Sequence, residues 1–316
     1  MCSAKCYADV LGCTGRNEQA FRRFPGISNK GCGPRPPGCT LLHMNPHNHS
    51  GPGHDHTDVD WEVMADQLEN SGDLQLPVLH RTATHLRERL DPEKKVRRIL
   101  DIGSGPGVMT CVLAEAFADA EVVAVDGTPG LLDRALARAE RLGLGGRVTV
   151  RHTQLPEGLD GGGEHGEGGL GPADLIWSSK AVHHLGDQQG VLNELAAVLR
   201  PGGLLAVAEG GLPMRFLPRD IGIGRPGLQT RLDGARERWF EIMRAELPGS
   251  TAVVEHWPAM LTRAGLTDVV SFTYLLDLPA PLGETARADG DPRRCGYCRP
   301  GASDSARPLG IAKALS

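Results

Sequence analysis

Between about residue 58 and residue 282 the apolar positions follow two alternating rhythms, and outside that span they follow none. Short, near-continuous apolar runs stand at "RRILDIG", "AEVVAVD", "RVTVRH", "ADLIWSS" and "GLLAVAEGG", which suits parallel strands covered on both faces. Between the runs the spacing becomes helical. Met109, Val112, Leu113, Ala116 and Phe117 keep one face, as do Leu132, Ala135, Leu136 and Ala139, and again Leu192, Leu195, Ala196 and Leu199. Repeated strand–helix units predict an α/β fold: a doubly wound, mostly parallel sheet with helices on both faces and right-handed crossovers.

The flanks of this alternation carry further elements. Thr57 with Asp60 marks a helix start, with Val59, Val63, Met64 and Leu68 at helical spacing behind it. A second helix is predicted over "LPVLHRTATHLRERL", with Pro77 near its first turn. "RPGG" at 200–203 is expected to close the last helix before the fifth strand. After Glu209 the alternation is interrupted by a segment predicting helices near 227–246 and 252–264, then a strand at 268–277. The chain thus divides into a disordered extension at 1–57 rich in Cys, His, Gly and Pro, a folded domain at 58–282, and an irregular tail at 283–316. Both unpatterned ends would follow from a misplaced start codon or a shifted reading frame, with Met44 as an alternative start.

Composition narrows the function classes. Hydrophobic residues make up 40% of the 316, and no apolar run approaches a membrane span, so no membrane partner is expected. The first residues lack the apolar core of a secretory signal, and the expected compartment is the cytoplasm. A net charge of −5 argues against a nucleic-acid partner. The histidines at 43, 47, 49, 54 and 56 match no closed tetrahedral site, and "CGYC" at 295–298 lacks the strand–helix context of a redox motif, so no metal is predicted.

The candidate chemistry begins in "ILDIGSGPG" at 99–107. Gly103, Gly105 and Gly107 follow the first predicted strand, at the sheet edge where ligands of such folds bind. A dinucleotide fingerprint would place Gly or Ala where Val108 stands, so the spacing is poor for a pyrophosphate. Asp126 ends the second strand, where a carboxylate can accept both hydroxyls of a ribose. Asp101 opens the glycine turn and could face an ammonium group. A cationic, ribose-bearing, phosphate-free ligand suits these parts better than a dinucleotide.

"LDIGSGPG", "VVAVDGTPG", "ADLIWSSKAVHHLGD" and "LRPGGLLAVAEGG", in this order, resemble the motifs of the class I S-adenosylmethionine-dependent methyltransferases over roughly residues 58–282. The resemblance implies a Rossmann-like sheet, with the N-terminal helices and the insert after Glu209 forming a lid. It implies that Gly103, Ser104, Gly105 and Gly107 pack against the cofactor, with Asp101 near its amino group and Asp126 and Gly127 at the ribose. Gln154, followed by Leu155, stands where many relatives place a carboxylate for the adenine amino group, and Ser178 and Ser179 would flank the sulfonium. The family fold closes with an antiparallel seventh strand beside the sixth, for which "LGIAKAL" is the only candidate here.

The implied reaction is direct displacement of a methyl group onto an acceptor O, N or C of a small molecule, so the protein mainly aligns the two and excludes water. His183 and His184 are the candidate bases, placed after the fourth strand, with helix packing as their plain alternative. Phe216, Trp239, Phe240 and Met243 offer apolar surface for the acceptor. Two rival functions stay open at this point: a non-catalytic cofactor-binding or regulatory protein, and an NAD(P)-dependent oxidoreductase on a similar sheet.

Overall fold

The computed structural model describes residues 61–156, 158–159, 169–210 and 217–276, positions 278, 281 and 283, and a strand at 306–313. The expectations for 1–57, for Thr57 and Asp60, for Phe216 and for "CGYC" lie outside the described residues. In chain order the elements are α1 (Trp61–Arg89), β1 (Arg98–Ile102), α2 (Val108–Ala116), β2 (Glu121–Asp126), α3 (Pro129–Arg141), β3 (Val148–His152) and β4 (Ala173–Ser179). A 3-10 turn (Val182–His184) leads to α4 (Gln188–Val198), β5 (Leu199–Ala208), α5 (Leu228–Glu246), α6 (Trp257–Arg263), β6 (Thr267–Leu275) and β7 (Ala306–Lys313).

The seven strands lie in the order β3-β2-β1-β4-β5-β7-β6. The first five pair in parallel, and β7 runs antiparallel between β5 and β6. Alternation along each strand sends successive side chains to opposite faces. On one face α4 and α6 bury Leu192, Leu195 and Met260 against Leu100, Ile102 and Ile176. On the other, α1 and α2 bury Leu86, Val112 and Leu113 against Ile99, Leu175 and Trp177, and α3 lays Leu132 and Ala135 over Ala124. Each such Leu, Ile, Val or Met side chain, taken out of water, contributes about 1.5–3 kcal/mol. This burial holds the strand ends in register and so fixes where the loops at the carboxyl edge stand.

Three expectations change. The two predicted N-terminal helices are one helix of 29 residues with Pro77 inside it. Pro77 forfeits one hydrogen bond, and tertiary contacts offset that loss. Gly72 lets α1 approach α2 so closely that a Cβ there would lie 2.6 Å from Cγ2 of Val108. Arg134 of α3 pairs with Asp66 at 2.6 Å and Glu69 at 3.4 Å, and Arg138 pairs with Asp73.

Second, "RPGG" does not stop a helix before a strand. It lies inside β5, where between the pairs Ala173–Leu199 and Leu175–Leu204 β4 advances two residues while β5 advances five. Gly202, at φ 71°, takes the left-handed conformation within that bulge.

Third, the tail contains the seventh strand. Its register sets Ile311 opposite Ala206 on one side and Val270 on the other. A short strand with a Pro and a Gly has weak intrinsic β preference, and here ladders on both sides define it. Among the described residues no helix is long and apolar enough to cross a membrane.

Replacing Ile311 with Pro removes an N–H from a strand flanked on both sides, a change that costs about 3 kcal/mol in regular structure. Thermal unfolding should then begin roughly 6–12 °C lower. A melting temperature within about 2 °C of wild type would contradict the internal position of β7.

Candidate active site

The turn after β1 is tied to the neighbouring strand. The amides of Gly103 and Ser104 both donate to the carbonyl of Val125, at 2.8 and 3.0 Å, and Gly107 N donates to Ser104 O at 3.2 Å. All three glycines have positive φ, at 68°, 54° and 76°, a region that L side chains enter only with strain. Their surroundings separate them. A Cβ on Gly103 would collide with Cβ of Ala181, and one on Gly107 would come within 2.5 Å of Cβ of Ala135. A Cβ on Gly105 would meet nothing within 4 Å. The outer glycines are thus required by the protein's own packing, and Gly105 presents main chain to open space.

Asp126, at the tip of β2, faces this bare segment. Its Oδ2 accepts from Gly105 N and its Oδ1 from Thr128 N, both at 2.9 Å. A carboxylate offers about four lone-pair directions, so acceptor capacity on both oxygens is left for a diol. The backbone carbonyl of Gly127 accepts from Gln154 Nε2 and from His152 Nε2, each at 3.1 Å. Gln154 is exposed, and with its amide nitrogen so engaged its oxygen is the group available to an incoming donor. Leu155 packs against the core beneath it.

Asp101 departs from expectation. It is only 1% exposed, below the turn on the α2 side, and Oγ1 of Thr110 donates to its Oδ2 at 2.5 Å. Burial, opposed by the Thr110 hydrogen bond and reinforced by the nearby Asp126 charge, pushes its carboxyl up from 3.8 to about 7. Asp101 therefore ties β1 to the first turn of α2 in this structure instead of opening onto solvent.

The two serines also part company. Ser178 is fully buried beside Ile102 and Val207, and its Oγ has no hydrogen-bond partner among the described residues. Ser179 is partly exposed and turns to the opposite face, so the pair cannot line one wall.

Past β4, Lys180 adopts φ 58° and its amide donates to Ala208 O at 3.2 Å. The following turn carries both predicted histidines, whose rings lie 4.0 Å apart. His183 Nδ1 is 2.6 Å from Oε2 of Glu209, a residue absent from the sequence-based set. The signal for it was present: an acidic residue directly after the apolar run of the fifth strand, at the same edge as Asp126. From the insert, Phe240 brings its ring to 5.6 Å from that of His183, while Trp239 is 47% exposed. A shallow groove lined by Glu88, Arg89 and Asp268 lies beside the start of β6, at the edge away from these groups.

Bare main chain at one strand tip and a carboxylate at the next, in a sheet closed by an antiparallel seventh strand, match what the resemblance to the class I methyltransferases implies. Comparison with known proteins agrees. Residues 100–205 match the methyltransferase domain family. A trans-aconitate 2-methyltransferase of Methylobacterium radiotolerans is 30% identical over 229 residues, covering 66% of this chain and 79% of that protein. The methyltransferase GfsG of Streptomyces halstedii is 28% identical over 206 residues, 64% of each chain. An O-methyltransferase family protein from Burkholderia thailandensis aligns with a TM-score of 0.45 and 16% identity, covering 78% of this chain and 58% of that one. The chain belongs to the S-adenosylmethionine-dependent methyltransferases, and S-adenosylmethionine is its cofactor. The open face of Gly105 and the spare acceptors of Asp126 and Gln154 fit that molecule's uncharged sugar and base.

Two outcomes follow from this geometry. Gly107→Ala combines left-handed strain with overlap on Ala135 and should cost more than about 2 kcal/mol, whereas Gly105→Ala should cost about 1–2 kcal/mol from φ alone. Urea denaturation of the two variants measures the difference, and equal losses would contradict it. For Asp101, the folded pKa lies above the unfolded one, so its contribution is fully present below about pH 4 and is lost as pH rises through about 7. Wild type should lose stability relative to Asp101→Asn across that window, at no more than about 1.4 kcal/mol per pH unit. Parallel stability–pH curves would refute the shift.

Proposed function

We propose that this enzyme transfers the methyl group of S-adenosylmethionine to a small organic acceptor, through oxygen, nitrogen or carbon, by direct displacement. The observation that carries the reading is the open main chain of Gly105 beside the Asp126 carboxylate. When bound, the cofactor supplies an electrophilic methyl group on a sulfonium. The chain's own residues bind, orient and exclude water. Gly103, Ser104, Gly105 and Gly107 form the floor, with Asp126 and Gly127 at the ribose and Gln154 with Leu155 at the adenine. Ser179, partly exposed where Ser178 is buried, borders the reacting side, and Asp101 acts from beneath through Thr110.

His183 takes the role of base at the mouth, with the tilted ring of His184 beside it. Relatives named for trans-aconitate, tocopherol and 27-O-demethylrifamycin SV support a small acceptor. The partly buried Phe240 beside His183 supports an acceptor with apolar surface.

Titration with S-adenosylhomocysteine tests the reading. A hundredfold excess over Kd should stabilise wild type by about 2.7 kcal/mol, and NAD should not. Hydrogen bonds to a charged group contribute about 1.5–3 kcal/mol, so Asp126→Asn should weaken binding roughly 10–150-fold. Unchanged affinity in that variant would remove Asp126 from the site.

A further inference from the structure

Glu209 is 1% exposed, yet none of its three contacts goes to a residue of opposite fixed charge. Oε1 accepts from the amides of Ala181 and Val182 at 2.9 and 2.8 Å, and Oε2 meets His183 Nδ1 at 2.6 Å. A carboxylate buried this deeply needs such donors, since removal from water without them costs several kcal/mol. The two amides open the 3-10 turn, so the same side chain that touches the imidazole also positions its backbone. From the other side Arg244 of α5 donates to the carbonyls of His183 at 3.1 Å, of Leu185, and of Gly186 at 3.2 Å. The turn is held from both sides.

An ionised carboxylate can only accept. The hydrogen shared with His183 therefore belongs to Nδ1, and in the neutral ring the lone pair is left on Nε2, the nitrogen away from Glu209. The His183 side chain is 20% exposed, so the ring is not sealed from a ligand. We propose that Glu209 is a positioning residue that fixes His183 in the Nδ1–H form, and that this fits the site to alcohols and phenols, acceptors that shed a proton as they are methylated. The proposal rests on the reading of His183 as the base. The acceptor oxygen bonds to the methyl carbon, the carbon–sulfur bond breaks with its electron pair left on sulfur, and the hydroxyl proton passes to His183 Nε2. The resulting imidazolium stays paired with the Glu209 carboxylate. An acceptor that is already anionic, such as a carboxylate, gains nothing from this arrangement.

Long-range proton–nitrogen correlation spectra of ¹⁵N-histidine-labelled protein at neutral pH read the tautomer directly, with His183 assigned by the signal lost in His183→Asn. Wild type should show hydrogen on Nδ1. In Glu209→Gln the amide oxygen can keep the Ala181 and Val182 contacts while its NH₂ turns to Nδ1, which should move the hydrogen to Nε2. A bare Nδ1 in wild type, as a protonated Glu209 would produce, overturns the proposal, and this reading is taken on the wild-type protein itself. An unchanged tautomer in Glu209→Gln overturns it as well.

With catechol as the phenolic probe, kcat should fall about 10²–10⁴-fold in Glu209→Gln and His183→Asn, while S-adenosylhomocysteine affinity holds. Transfer confined to trans-aconitate, a carboxylate probe, and equal in all three proteins would overturn the hydroxyl assignment. Failure of wild type to bind S-adenosylhomocysteine would instead defeat the methyltransferase reading and leave the tautomer result intact.

Discussion

The amide of Gly105 donates to the carboxylate of Asp126 at 2.9 Å, and the ligand edge of the sheet is organised around that bond. It spans the tips of β1 and β2, two strands whose inner positions are all buried and, apart from Asp101, apolar. Without it, the middle of a loop of three left-handed glycines would have little to fix it, because glycine brings the largest conformational entropy loss of any residue. Packing against Ala181 and Ala135 fixes the outer two glycines. The carboxylate holds the middle one, where packing provides nothing.

A contrast between three acidic residues shows how place decides role. Asp101, Asp126 and Glu209 all stand at or near the carboxyl ends of strands. Asp126 keeps partial exposure and two backbone donors, an environment that leaves it polar and available. Asp101 has lost solvent and leans on one residue, Thr110. Glu209 is equally buried but has three donors. Sequence position alone would treat them as equivalents, and solvent exposure together with the donors each one meets separates them.

Much of the architecture was legible because apolar periodicity and strand-end chemistry are local. The five parallel strands, their covering helices and the positions of Gly105 and Asp126 follow from residues within each unit. What escaped reading depended on distant partners. Pro77 reads as a helix start until Arg134 and Arg138, well over fifty residues later, tie the first half of α1 down. Ser178 and Ser179 look alike until alternation sends one into the core. Glu209 gains its meaning only when the β4–β5 register, pairing Ser179 with Ala208, brings it beside the histidine turn. The final strand was hardest, since its identity comes from two ladders and not from its own composition.

The insertion of β7 between β5 and β6 also dictates an order of events during synthesis. Strand β6 cannot take its place by docking directly on β5, because a ribbon emerging some thirty residues later must slide between them. Until that ribbon has left the ribosome, the edge of β5 stands unpaired, and unpaired edges invite association with other chains. The segment just ahead of Glu209 is therefore among the last parts of the nascent domain to be protected.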